Sequence, residues 1–294
     1  MSVATLRSDA GGPGRAPVPL ERRLQRANGR ARLAFAARAG GTGLASLYQR
    51  SPCRALFPRA AQPHPEAVLL NTAGGVAGGD RLSYEVAAGA GTRVVVSTQA
   101  AERIYRSLGL PGRISNRLEV GEGAMLDWLP QETILFDGAR LHRRTDVDIT
   151  GDGRLLAVDW LVLGRQASGE TVRTGEVHDR WRVRRDGRLI WADDIRLSGD
   201  IEALVGRPAL LAGATAMASL IYVAGDAGEH LRSTRAVLAD GAGRAAATLL
   251  DGVLLCRFLG DDARLLRRDV GAALCHLRSA IAGCAQPLPR VWTC

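Results

Sequence analysis

Residues 85–90, EVAAGA, return 34 residues later as EVGEGA at 119–124. Each copy follows a segment that alternates like a strand. Each precedes an apolar strand, Val94 to Val96 in the first case and Met125 to Leu129 in the second. DITGDGRLLAV at 148–158 is a weaker third copy. A strand–turn–strand unit of this size leaves an apolar face uncovered, and similar units bury it by stacking on one another. The echo therefore predicts stacked β-layers.

Segments on either side agree. RARLAFAARAG, GLASLYQR, RLSYEVAAGAG, TRVVVSTQ and RISNRLEVGEG show alternation or β-branched enrichment, with turn residues between them. In EVHDRWRVRRDGRLIWADD, Asp186-Gly187 sits between two strands as a hairpin turn. GRLLAVDWLVLGR at 153–165 reads either as a short helix on Leu155, Leu156, Trp160 and Leu163 or as a buried strand.

After Pro208 the composition shifts to Ala, Leu and Gly. ATAMASLIYVAG reads as a strand and DAGEHLRSTRAVLAD as a helix. GRAAATLLDGVLLCRFLG reads as a hairpin turning at Asp251-Gly252. The last helix has a stripe of Leu266, Val270, Ala273, Leu277 and Ile281, acidic residues Asp261 and Asp262 before it, and Gly283 to close it. The expected organisation is a mobile leader at 1–28, a β-rich scaffold at 29–207, and a β-α-β-β-α portion at 208–294 packed on it. The fold class is mainly β with some α.

The chain of 294 residues carries a net charge of +9, and all 39 of its basic residues are arginine. With no lysine there is no P-loop lysine, Schiff-base lysine or lysine general base. The arginines are scattered, and only 4% of residues are aromatic, which leaves little for base stacking. A basic surface facing an acidic protein partner accounts for the charge at least as well, and no nucleic-acid partner is expected. No apolar run approaches the ~20 residues of a membrane span. The N-terminus lacks a secretory apolar region, so a cytoplasmic location is expected. Five cysteines, Cys53, Cys256, Cys275, Cys284 and Cys294, form no CxxC and read as buried or incidental thiols. Adjacent Cys275 and His276 point about 100° apart on a helix and do not chelate together.

LLNTAGGVAGGDRL at 69–82 holds Gly74, Gly75, Gly78 and Gly79, followed by Asp80. A Walker loop needs GxxxxGK[ST], and a dinucleotide fingerprint needs GxGxxG opening a helix. Here an anion follows the glycines and the next segment, DRLSYEV, is a strand. The glycines instead permit a tight reversal with close backbone approach, and Asp80 can take up turn amides.

That stretch, followed by STQAAERIYRS, WLPQETILFDGARL and LGRQASGE, resembles the ordered signature of the urease accessory protein UreD (UreH) family across roughly residues 66–176. Where the family often shows His-Pro-Pro, this chain has Asn71-Thr72-Ala73, and Arg103 stands where a lysine is usual. The resemblance implies a β-helix-like fold and no enzymatic activity. It implies a task in nickel insertion into apo-urease, with UreF, through it UreG, and the urease apoprotein as partners. A metal-free structural adaptor bridging apo-urease to the other accessory proteins is the alternative.

A nickel relay needs weak, releasing ligands, and the chain has no HxH, CxxC or HExxH, so no tight metal site and only transient Ni2+ are expected. Asp80, Glu132, Asp137, Glu176 and His178 are the candidates for such a path. Glu176 and His178 share a strand face with Arg180 and Arg182, so a solvated charged strand is the competing reading. Glu132 and Asp137 follow Pro130, and loop anchoring competes there. Arg103, Tyr105 and Arg106 are candidates for a contact surface or for support of the glycine loop.

Overall fold

The computed structural model describes residues 25–59, 64–283, 285 and 287–292. The leader expected at 1–28 falls largely on residues 1–24, outside the described residues, as do Cys284 and Cys294. The chain begins with β1 (Asn28–Arg38), β2 (Gly41–Arg50), β3 (Cys53–Leu56) and β4 (Glu66–Asn71). It then coils. β5 (Arg81–Ala88) leads to β6 (Arg93–Thr98) and short β7 (Glu102–Ile104). β8 (Gly112–Val120) leads to β9 (Met125–Leu129) and β10 (Thr133–Leu135), and β11 (Arg140–Ile149) leads to β12 (Arg154–Leu163). A long hairpin, β13 (Thr174–Arg185) and β14 (Arg188–Asp200), and short α1 (Ile201–Val205) follow.

Successive coils place one strand in each of two sheets. The first runs β14-β13-β11-β8-β5-β1-β2. The second includes β12-β9-β6-β4-β3, with β10 pairing β12 and β7. Parallel pairing of β5 with β8, β8 with β11, β6 with β9 and β9 with β12 makes this a β-solenoid. One detail of the echo changes. Arg81 pairs with Arg113 and Arg93 with Met125, an offset of 32 residues against the 34 of the matched letters. Strand faces alternate with period two, so a slip of two keeps every side chain on its face and leaves the pattern recognisable. The third copy also stacks, with Arg154 opposite Met125.

The turns between the sheets sit directly on one another. Gly91 N–H donates to the Glu122 carbonyl at 2.8 Å, Gly123 N–H to Asp152 Oδ1 at 2.6 Å, and Gly151 N–H to Asp186 Oδ1 at 2.9 Å. A Cβ on Gly121 would lie 2.7 Å from the Ala90 nitrogen, so backbone contact between coils requires glycine there.

Strands of the first sheet are half-buried. In β8, Ile114, Leu118 and Val120 face inward while Arg113, Ser115 and Arg117 face out. β12 differs, with Leu155, Ala157 and Leu161 in the inter-sheet core and Leu156, Val158, Trp160 and Val162 in a second core. A strand covered on both faces is apolar throughout, which is why its period could not separate it from a helix.

The second core forms against the C-terminal portion: β15 (Ala216–Val223), α2 (Leu231–Ala239), β16 (Arg244–Leu250), β17 (Val253–Gly260) and α3 (Ala263–Ala282), in the expected β-α-β-β-α order. β15 pairs antiparallel with β12, so these strands extend the second sheet in the order β16-β17-β15-β12. The Asp262 side chain caps α3 by accepting from the Arg264 and Leu265 N–H groups, and Gly283 (φ 67°) ends it. Leu266, Val270, Ala273, Leu274 and Leu277 bury its inner face, and Cys275 is only half-buried at the edge. Among the described residues no helix is long and apolar enough to cross a membrane.

Candidate functional site

The alternation that builds the inter-sheet core is broken at a group of inward positions. Asn116 on β8, Arg143 and Thr145 on β11, Asp159 on β12 and Asp179 on β13 all point inside. Arg143 Nε donates to Asp179 Oδ1 at 3.0 Å, its Nη2 pairs with both Asp179 and Asp159, and its Nη1 reaches Thr133 Oγ1 at 2.8 Å. Trp181 Nε1 donates to Asp159 Oδ2 at 2.9 Å, and Asn116 Nδ2 to Thr145 Oγ1 at 3.0 Å. Burial pushes the Asp159 carboxyl up and opposes the charge on Arg143, but its two carboxylate neighbours outweigh that and raise the guanidinium. Sequence reading missed this triad. Its signal was present, because Arg143 lies between Leu141 and Thr145, and Asp179 between Val177 and Trp181, on the buried phase of each strand.

Beside the triad lies a cavity of about 210 Å³. Leu69, Asn71 and Gly74 line it from the glycine stretch, Thr98 to Arg103 from STQAAER, and Trp128, Pro130, Gln131 and Thr133 from WLPQET. These segments are dozens of residues apart and meet because three coils stack. Glu102 is held here by a 3.0 Å hydrogen bond from Asn71 Nδ2. Burial pushes its carboxyl up to about 7 from 4.5, against the pull of Asn71 and Arg143. Below 4.5 the group is protonated whether the chain is folded or not. As pH rises through this window the folded state gives up its proton last, so stability falls towards pH 7 and the burial cost persists above it. A Glu102→Gln chain is therefore expected to gain on the order of 2 kcal/mol over the parent at about pH 8. The gain should shrink towards pH 5 in paired thermal melts. An equal gap at both pH values would contradict the assignment.

The glycine stretch forms the rim of this cavity. Asp80 Oδ1 accepts from Ala27 N–H and Oδ2 from Ala77 N–H, both at 2.8 Å, so both oxygens are engaged by backbone. Gly74 (φ 77°) and Gly79 (φ 87°) take left-handed conformations. A Cβ on Gly75 would meet the Tyr105 ring at 2.6 Å and the Arg103 carbonyl at 2.7 Å, and one on Gly78 would meet the Leu110 carbonyl at 2.7 Å. Tyr105 supports the loop, its hydroxyl donating to the Gly74 carbonyl at 2.7 Å while its ring meets Phe136 edge-on at 5.3 Å. Asn71, standing where the family often has histidine, donates to the Gly75 carbonyl at 2.9 Å.

The other candidates, Arg103 excepted, lie apart from the cavity. Arg103 is shared with a neighbouring groove, where it joins Tyr105, Glu132 and the LGRQAS segment. Glu132 pairs with Arg267 at 2.9 Å on the groove wall. Asp137 Oδ1 accepts from Arg173 and Thr174 N–H at 2.8 and 3.0 Å, and Arg106 stands 3.5 Å from its other oxygen. The Thr174 N–H foremost holds the Asp137 carboxyl below the usual range. Glu176 and His178 share the outer face of β13, but His142 of β11 intervenes. Its Nε2 is 2.6 Å from Glu176, and its ring meets His178 edge-on at 5.8 Å. His178 Nε2 lies 2.9 Å from Asp194 Oδ1, out of alignment for a hydrogen bond. Among the described residues no group of three or more His, Cys, Asp or Glu is arranged to hold a metal ion.

A β-solenoid with these four motifs around one cavity and groove defines a class, and comparison with known proteins agrees. The family described as UreD urease accessory protein matches residues 27–293, and the chain belongs to that family. It is similar to a urease accessory protein UreD of Xanthobacter autotrophicus, 45% identical over 99% of this chain and 98% of that one. A protein of the same name from Azorhizobium caulinodans is 46% identical over 92% of this chain and 97% of its own. One from Rhizobium leguminosarum bv. viciae is 43% identical over 94% and 98%. The chain is thus a urease accessory protein, with a role in urease maturation.

Proposed function

We propose that the chain is a non-catalytic cytoplasmic scaffold that joins UreF, and through it UreG, to the urease apoprotein, and that nickel crosses this assembly as cargo. The observation that carries the proposal is the meeting of three separated family motifs on one polar cavity inside an otherwise apolar solenoid. Its polar lining combines amide, hydroxyl and carboxylate groups with the guanidinium groups of Arg103 and Arg143, the latter neutralised by Asp159 and Asp179, and includes no histidine or cysteine among the described residues. Oxygen donors hold a borderline ion loosely, which suits passage over storage. Asp80 and Asp137 are engaged by backbone N–H groups, whereas Glu132 and Glu176, held by Arg267 and His142 but partly open to solvent, and the half-buried His178 are the candidates for transient contact with the ion on its way.

The test is nickel per active site, with urease activity, in urease made with and without this chain while the other accessory proteins and nickel are supplied. Nickel-poor, inactive urease only in its absence is the expected result. Fully loaded urease without it would overturn the reading.

A further inference from the structure

The outer face of the first sheet carries a groove of about 550 Å³ that shares His178 with the residues proposed for nickel contact and is otherwise unused by that reading. Strand register builds it. Arg30, Ser83, Ser115, Arg144 and Arg180 stand side by side across β1, β5, β8, β11 and β13. The next row is Asn28, Arg81, Arg113, His142 and His178. The two serines leave a low floor between arginine walls. No aspartate or glutamate lines the groove among the described residues. Arg30 is paired with Glu85 and Arg144 with Asp146, while Arg81, Arg113 and Arg180 have no ion-pair partner among the described residues. Asp194 stands opposite Arg180 in the β13–β14 register but is taken up by His178, Arg182 and Arg196, so three guanidinium groups without an ion-pair partner face the groove and favour an anion there.

The shape of the site selects the anion. Five strands at ~4.8 Å spacing make a row of about 19 Å, the length of about six extended residues. A single small anion would engage one end of such a row. No tryptophan, tyrosine or phenylalanine lines the groove, and its two imidazoles, His142 and His178, sit together at one end, edge-on to each other, which leaves no row of rings along which successive bases could stack. We propose that this face, between Arg81, Arg113 and Arg180, docks an extended acidic polypeptide segment of a partner protein. Its carboxylates form forked hydrogen bonds with the guanidinium groups, and its backbone lies over Ser83 and Ser115. This inference rests on the three arginines and not on His178, so it stands or falls apart from the nickel reading.

The test is fluorescence anisotropy of a labelled Glu/Asp hexapeptide titrated with the full chain. Saturable binding is expected, weakened about ten-fold in the triple variant Arg81→Gln, Arg113→Gln, Arg180→Gln, the loss of three charge pairs of ordinary surface strength. A triple with the same change in net charge elsewhere, Arg54→Gln, Arg207→Gln, Arg232→Gln, should bind nearly as the parent does. A lysine triple at the three groove positions keeps the charge and should retain most of the binding, and it reads the groove even if the glutamine triple melts early. Equal losses in both glutamine triples, no saturable binding by the parent, or tighter binding of an oligothymidylate of equal charge would each overturn the proposal.

Discussion

Replacing Arg143 with methionine is expected to cost the fold about 3–5 kcal/mol, because it leaves two buried carboxylates facing each other without a counter-charge. Asp159 and Asp179 both hydrogen-bond or pair with this one guanidinium, and both sit between the sheets. Urea unfolding of the parent and the variant measures the difference. The diagnostic partner is the variant that also carries Asp159→Asn and Asp179→Asn. Removing all three charges together takes away the desolvation cost along with the attraction, so most of the lost stability should return. If the single variant is as stable as the parent, the triad is not the closed ionic unit its geometry describes. If the triple variant is no better than the single, packing of the arginine stem is what matters.

The second large effect tests the proposed passage of nickel. Ala101 lines the cavity beside Glu102, and an indole there is large against a space of about 210 Å³. An Ala101→Trp chain is expected to assemble with its partners yet lower nickel per urease active site by about ten-fold, which needs only about 1.4 kcal/mol added to a barrier. Ala101→Ser keeps the opening and should leave loading intact. Co-purification of the assembly together with metal analysis of the urease separates the outcomes. Unchanged loading with a plugged cavity would leave the chain as an adaptor that nickel bypasses.

The elements with local chemical signatures were legible in the sequence. Asp186-Gly187 and Asp251-Gly252 turn their hairpins with positive φ at both residues. Asp262 and Gly283 bound the last helix because capping is decided within one turn of chain. The stacking of coils was legible through the echo, although its register was two residues off. Letters match by type, while pairing follows the hydrogen-bond ladder. β12 was ambiguous because what covers its second face is α3, about a hundred residues later in the chain. The site was harder. His142 stands beside Glu176 and His178 only through a register of 36 residues between β11 and β13, which no local pattern supplies. The convergence of Asn71, Glu102 and Gln131 on one space likewise depends on how far each coil travels. The buried charges were within reach. An arginine or aspartate on the inward phase of an alternating strand is rare enough to mark a core that is not meant to be wholly apolar.

The coils also set the order in which the protein can be assembled. Apart from β1 and β5, which are 53 residues apart, parallel neighbours here lie 28 to 36 residues apart, as in Thr133 against Leu161 and Arg140 against Glu176. Short loops of this kind close at modest entropic cost, so growth can proceed coil by coil from any nucleus. The cavity does not share that freedom. Its wall takes Tyr84 from β5, Asn116 from β8, Arg143 from β11 and Trp181 from β13. A chain halted after two coils would have a respectable sheet and no enclosure. The enclosure is therefore a late product of folding, and a half-built scaffold has the sheets without the space between them.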